Sequence, residues 1–207
     1  MKMRLFSRTA GIVVLITASV FAQVGLQAGV TAGVSMFKQT NSGGGNSVTS
    51  DTKNGLVAGG VLDIVIMNLF SVESGIAYEQ RGAKWTNDIG NIEEKALSYC
   101  MLPVHAKLKY RAFPLISPYA LAGFNFGLLL SAKNEVTGQS TDIKDGLNPI
   151  DFGLDFGAGM ELGLPKIVPF VEFVYDLGLS NIDKNAGADN SLTNKGMELK
   201  AGVRIKL

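Results

Sequence analysis

The stretch DFGLDFGAGMELGL, Asp151 to Leu164, decides how this chain folds. Every second residue is apolar: Phe152, Leu154, Phe156, Ala158, Met160, Leu162 and Leu164. The residues between are acids or glycine: Asp151, Gly153, Asp155, Gly157, Gly159, Glu161 and Gly163. A period of two marks a β-strand with two unlike faces. In a soluble protein the Phe/Leu face would turn inward and leave acid and bare glycine in water. Glycine weakens a strand, so such a face needs another explanation.

The alternation recurs along the chain. Gln23–Phe37 sets Val24, Leu26, Val30, Val34 and Met36 against Gln27, Gly29, Thr31 and Ser35. Pro118–Ala132 sets Phe124, Phe126, Leu128 and Leu130 against Tyr119, Gly123 and Asn125. Phe170–Ser180 sets Val171, Phe173, Tyr175 and Leu177 against Glu172, Asp176 and Gly178. Met197–Leu207 sets Leu199, Val203 and Ile205 against Glu198, Lys200, Arg204 and Lys206. Phe70–Arg81 and Ala96–Arg111 follow the same rule. Leu56–Val65 is apolar on both faces, and only Asp63 hints at its direction. That makes eight strands.

Several of these strands exceed ten residues, which suits a spanning strand of about 9–11 residues plus an extension. The connections alternate. Segments 38–53, 82–95, 133–149 and 181–194 are long and polar. Those around 66–69, 112–117 and 164–169 are short and hold Asn68, Pro114, Pro165 and Pro169, all good turn formers. Long loops alternating with short turns mark an outer-membrane meander.

The bulk composition agrees. The 207 residues are 46% hydrophobic and 18% charged, with 25 glycines, more apolar than an average soluble domain. Bases (19) and acids (18) nearly balance, which gives no support to a nucleic-acid partner. Lys2, Arg4 and Arg8 precede the apolar run AGIVVLITASVFA, and Val20 and Ala22 are small residues at its end. The expectation is a signal peptide over 1–22 and a barrel domain over 23–207. Without those three bases the acids are in excess by two. Cys100 is the single cysteine, so no internal disulfide forms, and it reads as a small packing residue.

The two faces assign the architecture as all-β, a closed eight-stranded antiparallel up-and-down transmembrane β-barrel. The apolar faces would overfill so small a lumen, because eight strands enclose only enough room for side chains to plug it. Turned outward they meet lipid, and closure satisfies every backbone group. Glycines then suit a crowded interior where long charged side chains need bare neighbours. The lumen is expected to be electrically paired. Its acids are Glu73, Glu79, Asp155, Glu161, Glu172 and Asp176, with Asp151 beside them. Its bases are Lys107, Lys109, Arg111, Lys200, Arg204 and Lys206. Unpaired, such charges cost several kcal/mol, so replacing both Lys107 and Lys109 with Met should lower the unfolding temperature. Phe37, Tyr78, Trp85, Tyr110, Phe113, Tyr119 and Phe170 lie near strand ends and read as an interfacial aromatic girdle.

Several short motifs carry a resemblance. Tyr78-Glu79-Gln80-Arg81-Gly82 fits Tyr-x-x-(Lys/Arg)-Gly. Leu97, Tyr99 and Pro103 fit Leu-x-Tyr-x-x-x-Pro, and Pro118, Tyr119 and Gly123 fit Pro-Tyr-x-x-x-Gly. In this order they resemble the outer-membrane beta-barrel family called PorT-like or "porin family protein", related to OmpA/OmpX-like eight-stranded barrels. The resemblance implies the fold and a bacterial outer membrane, and hardly any molecular activity.

Motifs for chemistry are sparse. His105 is the single histidine, and no His/Cys/Asp set has metal-ligand spacing. It reads as a hydrogen-bonded lumen residue. Asp151 and Asp155 read as partners of luminal bases rather than a catalytic pair. GLVAGG and GFNFG lead into no helix and are not phosphate loops. No catalytic residue, cofactor or metal is expected. The reading is therefore a non-enzymatic barrel, structural or recognising a surface ligand of unspecified kind through its outer loops. Its partners would be outer-membrane lipid and the barrel-assembly machinery, and it would be a monomer. A small diffusion pore is the alternative. A surface enzyme and a soluble lipocalin-like binder rank below it.

Overall fold

The computed structural model describes residues 24–43, 46–86, 92–110, 113–136, 138–187 and 190–207. The expected signal segment and Arg111 lie outside them. Ten strands form: β1 (Val24–Gly43), β2 (Asn46–Thr49), β3 (Asp51–Ile66), β4 (Phe70–Thr86), β5 (Ile92–Lys109), β6 (Ile116–Val136), β7 (Gln139–Asp142), β8 (Ile150–Leu162), β9 (Ile167–Gly178) and β10 (Ser191–Lys206). The short β2 and β7 extend hairpins at one end. The other eight run in the order β10-β9-β8-β6-β5-β4-β3-β1, and β10 pairs with β1 to close the ring. All pairs are antiparallel. Met36 lies opposite Met197 at the closing seam and Phe126 opposite Phe152 between β6 and β8. Among the described residues no sheet edge is left in the spanning part, as a bilayer requires.

The ring puts the apolar face outside. On β8, Ile150, Phe156, Met160 and Leu162 are exposed, while Asp151, Asp155 and Glu161 are buried. Thirteen residues at roughly 3.3 Å each, tilted by about 45°, rise about 30 Å, the thickness of the hydrocarbon core. On β4 the last large outward apolar residue is Ile76. Tyr78 follows, with its hydroxyl 2.9 Å from that of Ser98. Tyr78, just past the last outward apolar residue of β4, and Tyr110 and Phe113, at the ends of β5 and β6, are exposed, where girdle residues belong.

Three of the expected girdle aromatics are placed otherwise. Phe37, Tyr119 and Phe170 are buried in the lumen. Each has the parity of its strand's polar residues, so the pleat carries it inward. Each ring lies over a glycine that is its registered cross-strand partner: Phe37 over Gly196, Tyr119 over Gly159 and Phe170 over Gly202. A methyl group on any of these glycines would meet the ring at 2.4–2.5 Å. The luminal glycines at these positions make room for aromatic rings.

The long polar segments are also more regular than expected. β1 continues to Gly43, β4 to Thr86 and β6 to Val136, and β5 begins at Ile92. Most of 38–53, 82–95 and 133–149 is hairpin. Beyond the bilayer the outward face meets water instead of lipid and need no longer be apolar, so the alternation that marks a strand fades from the sequence while the pairing persists. At the opposite end β3 and β4 join through Met67 and Asn68, both left-handed with φ of 51° and 55°, as a type I′ turn demands. Gly82 has φ +146°, and the β3–β4 register slips by one residue nearby, between Thr52 and Val57. A side chain there would be strained and would strike the Lys95 carbonyl.

Candidate functional site: the luminal charge network

The inward faces of the eight strands converge on a buried network of ions. Toward the short turns, Arg204 on β10 donates from Nη1 to Asp63 Oδ2 (2.8 Å) and Glu73 Oε2 (2.8 Å), and from Nη2 to Glu161 Oε2 (2.6 Å). Lys109 lies 3.1 Å from both Asp63 and Glu161. Lys107 bridges Glu73 (2.7 Å) and Glu172 (2.8 Å), and the Tyr119 hydroxyl donates to Glu172 (3.0 Å). Here four acids face three bases.

The tier toward the long connections is built on Arg81. Its guanidinium donates to Glu79 Oε2 (2.9 Å), Asp151 Oδ2 (3.3 Å) and Asp176 Oδ2 (2.6 Å). Asn125 Nδ2 donates to Asp155 Oδ1 (2.6 Å) and Asp176 Oδ2 (2.9 Å), and His105 Nε2 lies 2.7 Å from Asp155 Oδ2. Lys200 pairs with Glu198 (2.9 Å) and reaches Glu172 (3.4 Å). Asp151 also accepts from Asn194 Nδ2 (2.8 Å) and from the Ser180 hydroxyl (2.6 Å).

Aromatic rings cover the bases. The Arg81 guanidinium carbon lies 4.4 Å from the Phe37 ring centre, Lys107 Nζ 4.7 Å from that of Tyr119, and the Arg204 guanidinium carbon 4.5 Å from that of Phe170. These are cation–π distances in a desolvated setting, where such contacts are strongest.

Of the anticipated network residues, Glu73, Glu79, Lys107, Lys109, Asp155, Glu161, Glu172, Asp176, Lys200 and Arg204 are all buried in it. Lys206 is exposed at the rim and donates to the Leu164 carbonyl. Arg81, Asp63, Glu198, Asn125 and Asn194 complete the network. Arg81 and Glu198 stand on polar strand faces in the sequence, and this parity was the signal that could have placed them inside.

Glu73, His105 and Glu172 come from three strands and offer ligand atoms within 4.8 Å of one another. Lys107 already holds both carboxylates, so a metal ion seated there would face its ammonium. A cavity of about 30 Å³ lies between the tiers, lined by Glu79, His105, Asn125, Asp155, Glu172 and Glu198 among others.

The outer end of the lumen is closed by an apolar cap. Ile182, in the β9–β10 connection, is fully buried against Leu97, Leu129, Ala132 and Leu192. Backbone bonds fix it: Ile182 N–H donates to the Leu192 carbonyl and Asn148 N–H to that of Ile182. At the water-exposed rim Glu94 pairs with Lys53 and Lys84. The hydrogen bond from Lys53 holds its carboxyl below the usual range.

A closed ring with an apolar wall and an ion-paired interior defines a transmembrane β-barrel of the bacterial outer membrane. The sequence model of the family described as "Outer membrane protein beta-barrel domain" matches residues 21–184, and the chain belongs to that family. Solved outer-membrane proteins are similar to the chain, and the first of these agrees with it in fold. OprG of Pseudomonas aeruginosa is 12% identical, covered over 89% of this chain and 97% of its own, with a TM-score of 0.55. Neisserial surface protein A is 16% identical over 86% and 97%, with a TM-score of 0.47. Ail of Yersinia pestis is 18% identical over 88% and 99%, with a TM-score of 0.41. No curated protein matches the chain.

Proposed function

We propose that this protein is a non-conducting, non-enzymatic outer-membrane barrel that acts through its outer face, by recognition or as a structural element. One observation carries the reading: the lumen is filled across its section. Two tiers of buried ion pairs span it, Ile182 caps it, and the cavity between the tiers has room for a water or two. A hydrated ion or solute would have to break several buried pairs, each costly to disrupt. The single histidine lies in the lumen against Asp155, away from any surface where a substrate could dock. The outward hairpins are the parts free to vary and bind, as loops on a rigid scaffold do. On this reading outer-membrane lipid covers the wall, the barrel-assembly machinery inserts the chain, and it works as a monomer. Planar-bilayer recording tests it. The expected trace stays at the bare-bilayer baseline, and steady ohmic conductance that scales with added protein would overturn the proposal.

A further inference from the structure

The outward faces of β1 and β10 are apolar along the lipid-facing wall. On β1 that face runs from Val24 to Met36, and on β10 from Ile205 back to Met197. Val24–Met36 is as long as β8, so it too rises about the thickness of the hydrocarbon core. The first outward residue past this band is a lysine on both strands, Lys38 on β1 and Lys195 on β10. Lys38 is exposed between buried Phe37 and Gln39, and Lys195 is half-buried between buried Asn194 and Gly196.

The register makes these two lysines direct cross-strand partners at the closing seam. Directly opposed residues have Cα atoms about 4.5–5.5 Å apart, and like charges placed so repel. The ion pairs of the rim join Lys53 and Lys84 to Glu94, and among the described residues neither Lys38 nor Lys195 has a carboxylate partner. Their outward neighbours are Leu177 on β9, Thr193 on β10 and Asn54 on β3, none of them acidic. On β3 and β4 the first outward residue past the apolar band is neutral, Asn54 and Tyr78. Positive charge is therefore concentrated at the seam, where the ladder holds it without an internal counter-charge.

We infer that Lys38 and Lys195 together hold the phosphate of an outer-leaflet lipid. Long connections mark the outward end of such a barrel. Both lysines stand at that end, one step beyond the apolar band, which is headgroup depth. Phosphate is the anion that lipid headgroups present there, and lysine binds it as a point charge. Two ammoniums side by side match a phosphate monoester, which carries about −1.5 to −2 charge at pH 7. The flexible stems let both reach one phosphate, while Met36 and Met197 below them meet the acyl chains. The inference rests on the barrel's seat in the outer membrane. It is independent of what the loops bind and of whether the lumen conducts.

The test is native mass spectrometry of the refolded barrel in neutral detergent. The barrel is titrated with bisphosphorylated lipid A, with lipid A stripped of its phosphates, or with inorganic phosphate. Bisphosphorylated lipid A should bind. A basic residue near an anionic lipid surface is worth about fivefold in affinity. Lys38→Gln and Lys195→Gln should therefore each weaken binding about fivefold, and the double variant about thirtyfold. Lys84→Gln, whose ammonium already pairs with Glu94, should bind as the unmodified chain does. Removing one lysine also removes the repulsion, so without lipid each single variant should keep or raise the urea midpoint. Binding by the double variant that is as tight as that of the unmodified chain overturns the assignment. So does equal binding of the phosphate-free lipid, which would leave acyl packing alone, or a urea midpoint lowered by either single variant. Inorganic phosphate that binds as tightly as lipid A also overturns it, making the seam a site for a soluble anion.

Discussion

Arg81 on β4 and Asp176 on β9 meet across the full width of the barrel, with 2.6 Å between guanidinium and carboxylate. Their strands lie four apart in a ring of eight. Glu79 and Asp151 share the same guanidinium, so one side chain ties β4, β8 and β9 together. Planar, multi-donor geometry suits arginine to that role. Arg81→Met should lower the unfolding free energy by about 3–5 kcal/mol, the usual cost of stripping the partner from buried charge. Urea unfolding in detergent micelles, followed by the heat-dependent gel shift, measures it. A loss under about 1 kcal/mol, the scale of a surface pair, would mean that the three acids are neutralised by other means.

The sequence shows which residues face inward, because lipid on one side and ions on the other enforce a strict period of two. Glu73, Lys107, Asp155 and Arg204 follow from parity alone. Which base meets which acid does not follow, because ring tilt and register decide that, and no local spacing encodes them. Arg81 illustrates the gap. It stands on the polar face of its strand, yet nothing local says that its partners are 70 and 95 residues away. Phe37, Tyr119 and Phe170 show a different failure. Their residue type suggests an interface, whereas their parity puts them in the lumen, and parity is the stronger constraint. The outer hairpins were illegible because water replaces lipid on their outward face, which removes the demand for apolar residues there.

Met67 occupies the first left-handed position of the β3–β4 turn with φ 51°. An L-residue other than Asn or Asp pays about 1–2 kcal/mol in that conformation. Its side chain is exposed, so replacing it forfeits little packing. Met67→Asn should raise the urea midpoint, by a stability of about 0.5–1 kcal/mol, within that penalty. An unchanged or lowered midpoint would show that the turn does not hold Met67 left-handed in the folded barrel.

Tyr119 and Gly159 form the tightest ring-over-glycine contact in the lumen: a methyl group on Gly159 would sit 2.4 Å from the tyrosine ring and its oxygen. The ring cannot retreat without loss, because its face covers Lys107 and its hydroxyl donates to Glu172. Gly159→Ala should therefore cost about 1–3 kcal/mol, the usual range for overpacking. The cause can be isolated by a double-mutant cycle. Tyr119→Leu removes the ring and is itself destabilising, since it uncovers Lys107 and takes a donor from Glu172. Adding Gly159→Ala to that background should cost at least about 1 kcal/mol less than it does alone, a coupling within the range for residues in contact. Costs that simply add would mean that Gly159 is needed for its backbone and not for the ring, and the luminal glycines would then need a different account.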